Sequence, residues 1–284
     1  CDKYRSKTGD YDCIVPGSGG KDSVYASYIL KYEYGMNPLT ITWPPILYTD
    51  YGYQNFRNWI EVGGFDNLTI KPNGRVMKIL TKLSIENILH PFQTFILGQK
   101  NLAPKIAKQY NINLVFFGEN EAEYGNPVVD NEAGKRDWNY FASEDSDNVY
   151  LGGVSISELK NEFGLNNNDL HQYMPLDPQQ IMNKDIEVHY AGYYLKWHPQ
   201  ANYYYAVEHG DFEACPERMP GTYTKYVAID DKMEDFNYYT TGIKYGIGWS
   251  TYITAHEVRN GDITRDEGIA LVKKYDLEFP ERFL

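Results

Sequence analysis

The stretch Ser18-Gly19-Gly20-Lys21-Asp22-Ser23 constrains this chain more than any other. Before it stands a short apolar run, Tyr11-Asp12-Cys13-Ile14-Val15, which reads as a buried strand. After it, Val24 to Lys31 is free of Gly and Pro and predicts a helix ending near Gly35. A strand, a glycine-rich turn and a helix together aim backbone N–H groups and a positive helix end at one point, which makes an anion site. Adjacent glycines let the backbone take conformations closed to other residues and come close to an oxyanion. Ser18 and Ser23 add hydroxyl donors, and Lys21 adds a charge. The bland alternative is a Ser/Gly-rich turn with no ligand.

The loop is not of the Walker type, which needs Gly, four residues and then Gly-Lys-Ser/Thr. Nor is it the dinucleotide fingerprint, since Gly17-Ser18-Gly19 is followed by Asp22 where a third glycine belongs. The Ser-Gly-Gly-x-Asp-Ser run instead resembles the signature of the PP-loop ATP pyrophosphatases. That resemblance implies cleavage of ATP to AMP and pyrophosphate, with the AMP activating a carbonyl or carboxyl oxygen.

Periodicity extends the pattern. Leu39 to Trp43 reads as a strand stopped by Pro44-Pro45, and Gln54 to Val62 as a helix closed by Gly63-Gly64. Asn67 to Ile70 and Ile112 to Phe117 read as strands, with helical spacing at Val76–Leu83 and Leu102–Tyr110 between them. This alternation predicts an α/β fold: a Rossmann-like parallel sheet with helices on both faces, of PP-loop/HUP type by resemblance. Ala122 to about Val149 reads as a long polar loop. The rest reads as mostly helical, with helices over Pro199–His209, Asp231–Tyr245 and Ser250–Asn260. Ser155-x-x-Glu158 and Thr264-x-x-Glu267 are capping boxes. The expected division is an ATP-binding domain over 1–150 and a helical substrate-binding cap over 151–284.

Composition enters as a set of exclusions. With 284 residues, 42% hydrophobic and 15% aromatic, the chain can bury a sizeable core. Mean hydropathy is −0.56, and no apolar run approaches the roughly 20 residues of a membrane span, so no membrane partner is expected. The first ten residues are polar, so no leader is expected. Cys1, Cys13 and Cys215 lie far apart without CxxC, which points to a reducing cytoplasm, and Cys13 in its strand is expected to be inert. The net charge of −12 argues against a broad nucleic-acid footprint.

Ligands of parallel sheets sit beyond the carboxyl ends of the strands. The glycine loop, Trp43, Gly118, Glu119 and Asn120 occupy those ends and are the expected ATP contacts. Asp22 and Glu119 are candidates to hold Mg²⁺ against phosphate oxygens; a solvated acidic loop is the alternative. Gly98-Gln99-Lys100-Asn101 reads as a helix start that meets substrate or phosphate, or as a plain polar helix end. Arg218 and Gly221-Thr222-Tyr223-Thr224-Lys225 gather cations and hydroxyls around a glycine turn, suited to an acidic sugar or phosphate, or form an ordinary surface loop. His189, His198, His209 and Cys215 lack zinc spacing, and His256-Glu257 has no second His for HExxH. The tyrosines at 193–194 and 203–205 stack on sugars or fill a half-buried core.

A more specific resemblance covers nearly the whole chain. Gly9 to Pro16 leading into the loop, Pro91-Phe92, Gly98 to Asn101, Phe117 to Asn120, Glu123-Tyr124-Gly125 and Lys196-Trp197 are similar to the bacterial N-acetyl sugar amidotransferases. So are Gly221 to Tyr226, Asp230-Asp231-Lys232, Lys244 to Gly248, Ala255 to Arg259 and Ile263-Thr264-Arg265. The resemblance implies conversion of an N-acetyl group on a bacterial surface sugar into an acetamidino group. Implied substrates are nonulosonic acids of the pseudaminic or legionaminic type and diacetamido-uronic acid nucleotides. It implies catalytic roles for Ser18, Lys21, Asp22, Lys100 and Lys225, and substrate contacts from Gln99, Asn101, Glu123, Tyr124, Lys196, Arg218, Thr222, Tyr223 and Thr224. ATP and Mg²⁺ are the implied cofactors. Only 16 residues precede Gly17, too few for a glutaminase domain, so ammonia is expected from a separate subunit, which the resemblance implies is of the HisH/HisF type. Family members carry a cysteine-bearing N-terminal segment that the resemblance implies binds Zn²⁺; the chain is expected to begin after it, with either Cys1 a remnant or the segment trimmed away. Pro16-Gly17 also replaces a bulkier residue of the family. Two other readings share the loop: a tRNA-modifying adenylase, disfavoured by the acidic charge, and a nucleotide-binding subunit without turnover, disfavoured by Arg218 and Lys225.

Overall fold

All four expected strands form, and a fifth joins them. In the computed structural model, residues 1–119, 133–145, 148–181 and 185–283 are described. The first part runs β1 (Cys13–Pro16), α1 (Lys21–Tyr28), β2 (Pro38–Thr42), α2 (Asp50–Glu61), β3 (Asp66–Thr69), α3 (Gly74–Ile88), α4 (Gln93–Tyr110) and β4 (Leu114–Phe117). A small hairpin, β5 (Tyr150–Leu151) and β6 (Val154–Ser155), leads to the short helices α5 (Ile156–Asn161) and α6 (Asn167–Leu170). Then come β7 (Glu187–Tyr190), α7 (Ala191–Tyr194), α8 (Pro199–Gly210), α9 (Glu234–Tyr245), α10 (Trp249–Asn260) and α11 (Arg265–Tyr275).

The sheet has the order β3-β2-β1-β4-β7 and is parallel throughout. Alternation along β1 sends Ile14 to one face and Cys13 and Val15 to the other. On the first face Ile14, Leu39, Ile41 and Val115 pack against Val76 and Leu80 of α3 and Leu102 and Ile106 of α4. Beyond the second face, Val24 and Tyr28 of α1 join Trp59 of α2, Ala206 of α8 and Trp249 and Ile253 of α10. Burial raises the Cys13 thiol to about 12, so it is inert as expected.

The fifth strand of the sheet, β7, lies beyond residue 150. It pairs with β4 from Leu114↔Glu187 to Phe117↔Tyr190, so the sheet draws on both sides of that point. Its sequence, Glu-Val-His-Tyr, is too short and too polar to announce a strand, because at a sheet edge only Val188 and Tyr190 need be buried. The C-terminal part is otherwise helical, and it is tied back to the loop after β2. The Asp231 carboxylate accepts from the N–H groups of Ile46, Leu47 (3.2 Å) and Met233 (2.9 Å). Lys232 N–H donates to Leu47 O at 2.8 Å, and Thr49 N–H to Asp230 O at 3.1 Å. The Thr264–Glu267 capping box forms as read; Ser155 caps Glu158 N–H in one direction.

Candidate nucleotide and substrate site

The glycine loop is bedded so closely on α2 that Gly17 and Gly19 leave no room for a side chain. Gly17 N–H donates to Ile41 O at 2.9 Å, extending the β1–β2 ladder one residue. A Cβ on Gly17 would lie 2.4 Å from Ser23 Cβ and 2.8 Å from the Trp59 ring. Gly19 has φ +86°, and its Cβ would lie 2.5 Å from Phe56 Cα. Only glycine meets both demands at Gly19: the left-handed backbone and the close approach.

Gly20 caps α1 without a side chain to offer, and the Ser23 hydroxyl turns back to Gly20 O at 2.8 Å. The first N–H groups of α1 therefore have no side-chain acceptor and, with the helix dipole behind them, can donate to an anion. Lys21 is buried and pairs with Asp22 at 2.5 Å; Asn202 of α8 donates to the other Asp22 oxygen at 3.1 Å. Gly118, next after β4, lies against this helix start, since its Cβ would be 2.7 Å from Asp22 O. The loop and Gly118 thus meet at the carboxyl ends of β1 and β4. These are the strands from which the chain leaves in opposite directions across the sheet.

A cleft opens beside Lys21 and Asp22. Trp197 and Gln200 line it at the head of α8, Tyr226 beyond, and Tyr238, Tyr252 and Glu257 from α9 and α10. Stacking holds the rings: Tyr238 on Trp249 at 3.6 Å and Tyr226 on Tyr203 at 4.1 Å between centroids. His198 Nδ1 accepts from Ala201 N–H at 3.1 Å, capping α8, while Nε2 lies 3.0 Å from Asp262 Oδ1. With Nδ1 an acceptor, the proton sits on Nε2 and is donated to Asp262. Glu257 accepts from the Tyr223 hydroxyl, and burial pushes its carboxyl up against that pull.

Behind the loop lies an acidic belt. Burial raises the Asp230 carboxyl, and the nearby Ser18 hydroxyl acts against that rise. Burial and the neighbouring Asp230 raise Asp231 to about 7, and burial with both neighbours carries Glu234 well above the carboxylate range. A carboxyl raised to about 7, as in Asp231, carries less negative charge near neutral pH than an ordinary aspartate.

Several expected contacts lie elsewhere. Trp43 is 3% exposed and sits in the core, edge-on to Tyr173 at 5.4 Å, which displaces its expected nucleotide role. Gly98 explains the fit: a Cβ there would lie 2.3 Å from the Trp43 ring. α4 begins at Gln93, so Gly98, Gln99, Lys100 and Asn101 are helix interior rather than a helix start. Asn101 is buried and donates to Tyr173 O at 2.9 Å; the Lys100 ammonium stands 3.4 Å from the Tyr140 ring centroid. Arg218 grips Glu278 through bonds of 2.5 and 2.7 Å, and Lys225 donates to Pro216 O at 2.6 Å; neither lines the cleft. Thr222 and Thr224 are buried, and of that turn Tyr223 reaches the cleft wall through Glu257. Lys196 is exposed beside the cleft residue Trp197. Asn120, Glu123 and Tyr124 lie outside the described residues.

Mg²⁺ binds through one or two carboxylates and otherwise through water and phosphate oxygens. Asp22 at the head of α1 and Glu119 after β4 suit that donor set. Among the described residues no three His, Cys, Asp or Glu side chains converge as a metal cage. Cys1 is exposed, and the zinc expectation concerns a segment outside this sequence.

Residues 220–284 match the family described as LPS biosynthesis protein WbpG-like, C-terminal domain, which falls on α9 to α11 and the turn before them. No curated protein matches the chain. Among solved structures it is similar to NMN synthetase from Francisella tularensis, at 19% identity over 56% of this chain and 63% of that one, with a TM-score of 0.31. It is similar to a predicted subunit of tRNA methyltransferase from Methanocaldococcus jannaschii, at 17% over 69% and 75%, with a TM-score of 0.37. An NH3-dependent NAD synthetase from Campylobacter jejuni matches at 13% over 57% and 68%, with a TM-score of 0.33. The chain thus spans less than two thirds of the NMN synthetase it matches. Among the described residues no helix is long and apolar enough to cross a membrane.

Sequence reasoning missed Asp230, Tyr238, Tyr252 and Asp262 as parts of the site. The signals were present as the Asp230-Asp231 pair and the His256-Glu257 step, but no local period connects them to the glycine loop.

Proposed function

We propose that the chain is an ATP-dependent amidotransferase. It would adenylylate the N-acetyl carbonyl oxygen of a bacterial surface-sugar precursor and replace that oxygen with ammonia nitrogen, giving an acetamidino group, AMP and pyrophosphate. The observation that carries this reading is the uncapped head of α1, preceded by Gly17 and Gly19, which admit no Cβ, and bordering the cleft at Lys21 and Asp22. The match of residues 220–284 to an LPS biosynthesis family supports the substrate class.

An amide carbonyl is a poor electrophile. In the first step its oxygen bonds to the α-phosphorus of ATP while the bond to the bridging oxygen breaks, and the electron pair leaves with pyrophosphate. The N–H groups of Gly19, Gly20 and the head of α1, with Lys21, stabilise the charge growing on the leaving group. Bound Mg²⁺ would neutralise phosphate charge, held by Asp22 and Glu119. Ammonia then bonds to the imidate carbon, the C–O bond breaks with its electron pair going to AMP, and the surplus proton passes to water. No covalent enzyme intermediate is required, so the residues act by position and field. Ammonia would come from separate glutaminase subunits of the HisH/HisF type, as the sequence resemblance suggests.

The test is incubation with ATP, Mg²⁺, ammonium and a panel of CMP- and UDP-linked N-acetyl sugars. The expected result is AMP together with a product in which NH replaces O, read by mass spectrometry. Failure of AMP to form with every acetamido sugar overturns the reading.

A further inference from the structure

The cleft beside the head of α1 has the chemistry of a carbohydrate site, and the residues that give it that chemistry are not those that sequence suggested for the sugar. We propose that it receives the sugar ring of the acceptor, stacked on Trp197 and Tyr252 with its hydroxyls held by Glu257 and Asp262. The proposal rests on the amidotransferase reading and adds to it where the acceptor lies and which part of it enters.

Position comes first. Lys21 and Asp22 are one wall of the cleft and also the first residues of α1 after the glycine loop, so an occupant lies next to phosphates held by that loop. The acceptor oxygen must reach the α-phosphorus, and this cleft borders the head of α1 at Lys21 and Asp22. Ring chemistry comes second. Trp197, Tyr226 and Tyr252 are partly exposed in the lining, and Tyr226 is locked by stacking on Tyr203. Fixed aromatic faces accept the apolar C–H face of a sugar without losing much side-chain freedom.

The acceptors come third. Glu257 is oriented by the Tyr223 hydroxyl and Asp262 by His198 Nε2. A carboxylate has acceptor sites for about four hydrogen bonds, so capacity is left for hydroxyl donors. Charge completes the case. Arg218 and Lys225, the cations expected to grip an acidic sugar, are spent on Glu278 and Pro216 O, and the lysine in the lining is paired with Asp22. A sugar carboxylate would meet Asp22, Glu257 and Asp262, so the uncharged hydroxyl face of the ring enters, and any carboxylate on the sugar points out of the cleft.

The test uses the full chain and whichever sugar of the CMP and UDP panel gives AMP with the wild type. Trp197→Ala and Glu257→Gln are each expected to raise the acceptor KM about tenfold, the size of one lost stacking or hydroxyl contact. The KM for ATP and the thermal unfolding midpoint stay unchanged, and Glu257→Asp recovers part of the loss. If the wild type turns over and both variants keep the acceptor KM, the cleft assignment fails while the amidotransferase reading stands. A rise in the KM for ATP equal to that for the acceptor assigns the cleft to the nucleotide and also overturns the proposal. If the wild type forms no AMP with any member, both readings fall together.

Discussion

Two glycine turns in this chain carry a cation and neighbouring hydroxyls, residues 17–23 and 218–225, and the fold treats them in opposite ways. At the first, Gly19 presses on the backbone of Phe56 and the helix behind it is left without a side-chain cap. At the second, Gly221 has nothing within 4 Å of its missing Cβ, and the cations are bonded to Glu278 and Pro216 O. Gly221 O accepts from the Ser250 hydroxyl at 2.8 Å, and Gly221 N–H donates to Glu278 at 3.0 Å, so this turn pins the helical part together. A residue pattern therefore marks a ligand site only where the backbone donors remain unspent.

The difference can be broken by mutation. Gly19→Ala should abolish ATP binding in calorimetry and lower the thermal midpoint, since a left-handed alanine costs about 1–2 kcal/mol before the clash with Phe56 is counted. ATP binding at wild-type strength by this variant would show that the loop is not bedded as described. Lys21→Met should fold normally and release pyrophosphate about 10²–10³-fold more slowly, the scale for loss of one preorganised charge-stabilising group; a coupled pyrophosphate assay reads it. At the second turn, Arg218→Ala should cost no more than about 1 kcal/mol in urea unfolding, as for other partly exposed ion pairs. It should leave the acceptor KM unchanged, whereas a large rise would return Arg218 to the substrate site.

Between these in size is the acidic belt that joins the two regions. Asp231 titrates near 7 in the folded chain against an ordinary 3.8, so the folded state binds more protons across that interval. Stability contributed by this group is fully present below its unfolded pKa and is lost as pH rises through about 7, with a slope of up to about 1.4 kcal/mol per pH unit. Asp231→Asn should flatten that dependence in urea midpoints measured across the interval. An unchanged slope would place the titration on another carboxylate, with Asp235, raised to about 6 by burial against the pull of Arg282, next in line.

The sheet was legible because its strands and helices are contiguous segments whose apolar period reports burial directly. Helix bounds moved by a few residues: α1 starts at Lys21 and passes through a π turn over Ile29–Glu33, and α2 starts at Asp50 behind a Thr49 cap. Gly98 was read as the start of a helix, yet it is the gap that admits the Trp43 ring, a fact that depends on a partner strand far away in sequence. Arg218 and Lys225 were read as free cations because Glu278 and the Pro216 carbonyl carry no signal beside them.

What the sequence determined alone is the phosphate loop and its flanking strand and helix, because the lack of a Cβ and the direction of a helix dipole are local properties. Tertiary structure decided what stands around it: the edge strand β7, the docking of Asp231 on residues 46–49, and the cleft walled by α8 and α10. Those groups meet only where the strands pair and the helical part packs on α1. Which of them face a ligand and which face each other is settled by that packing.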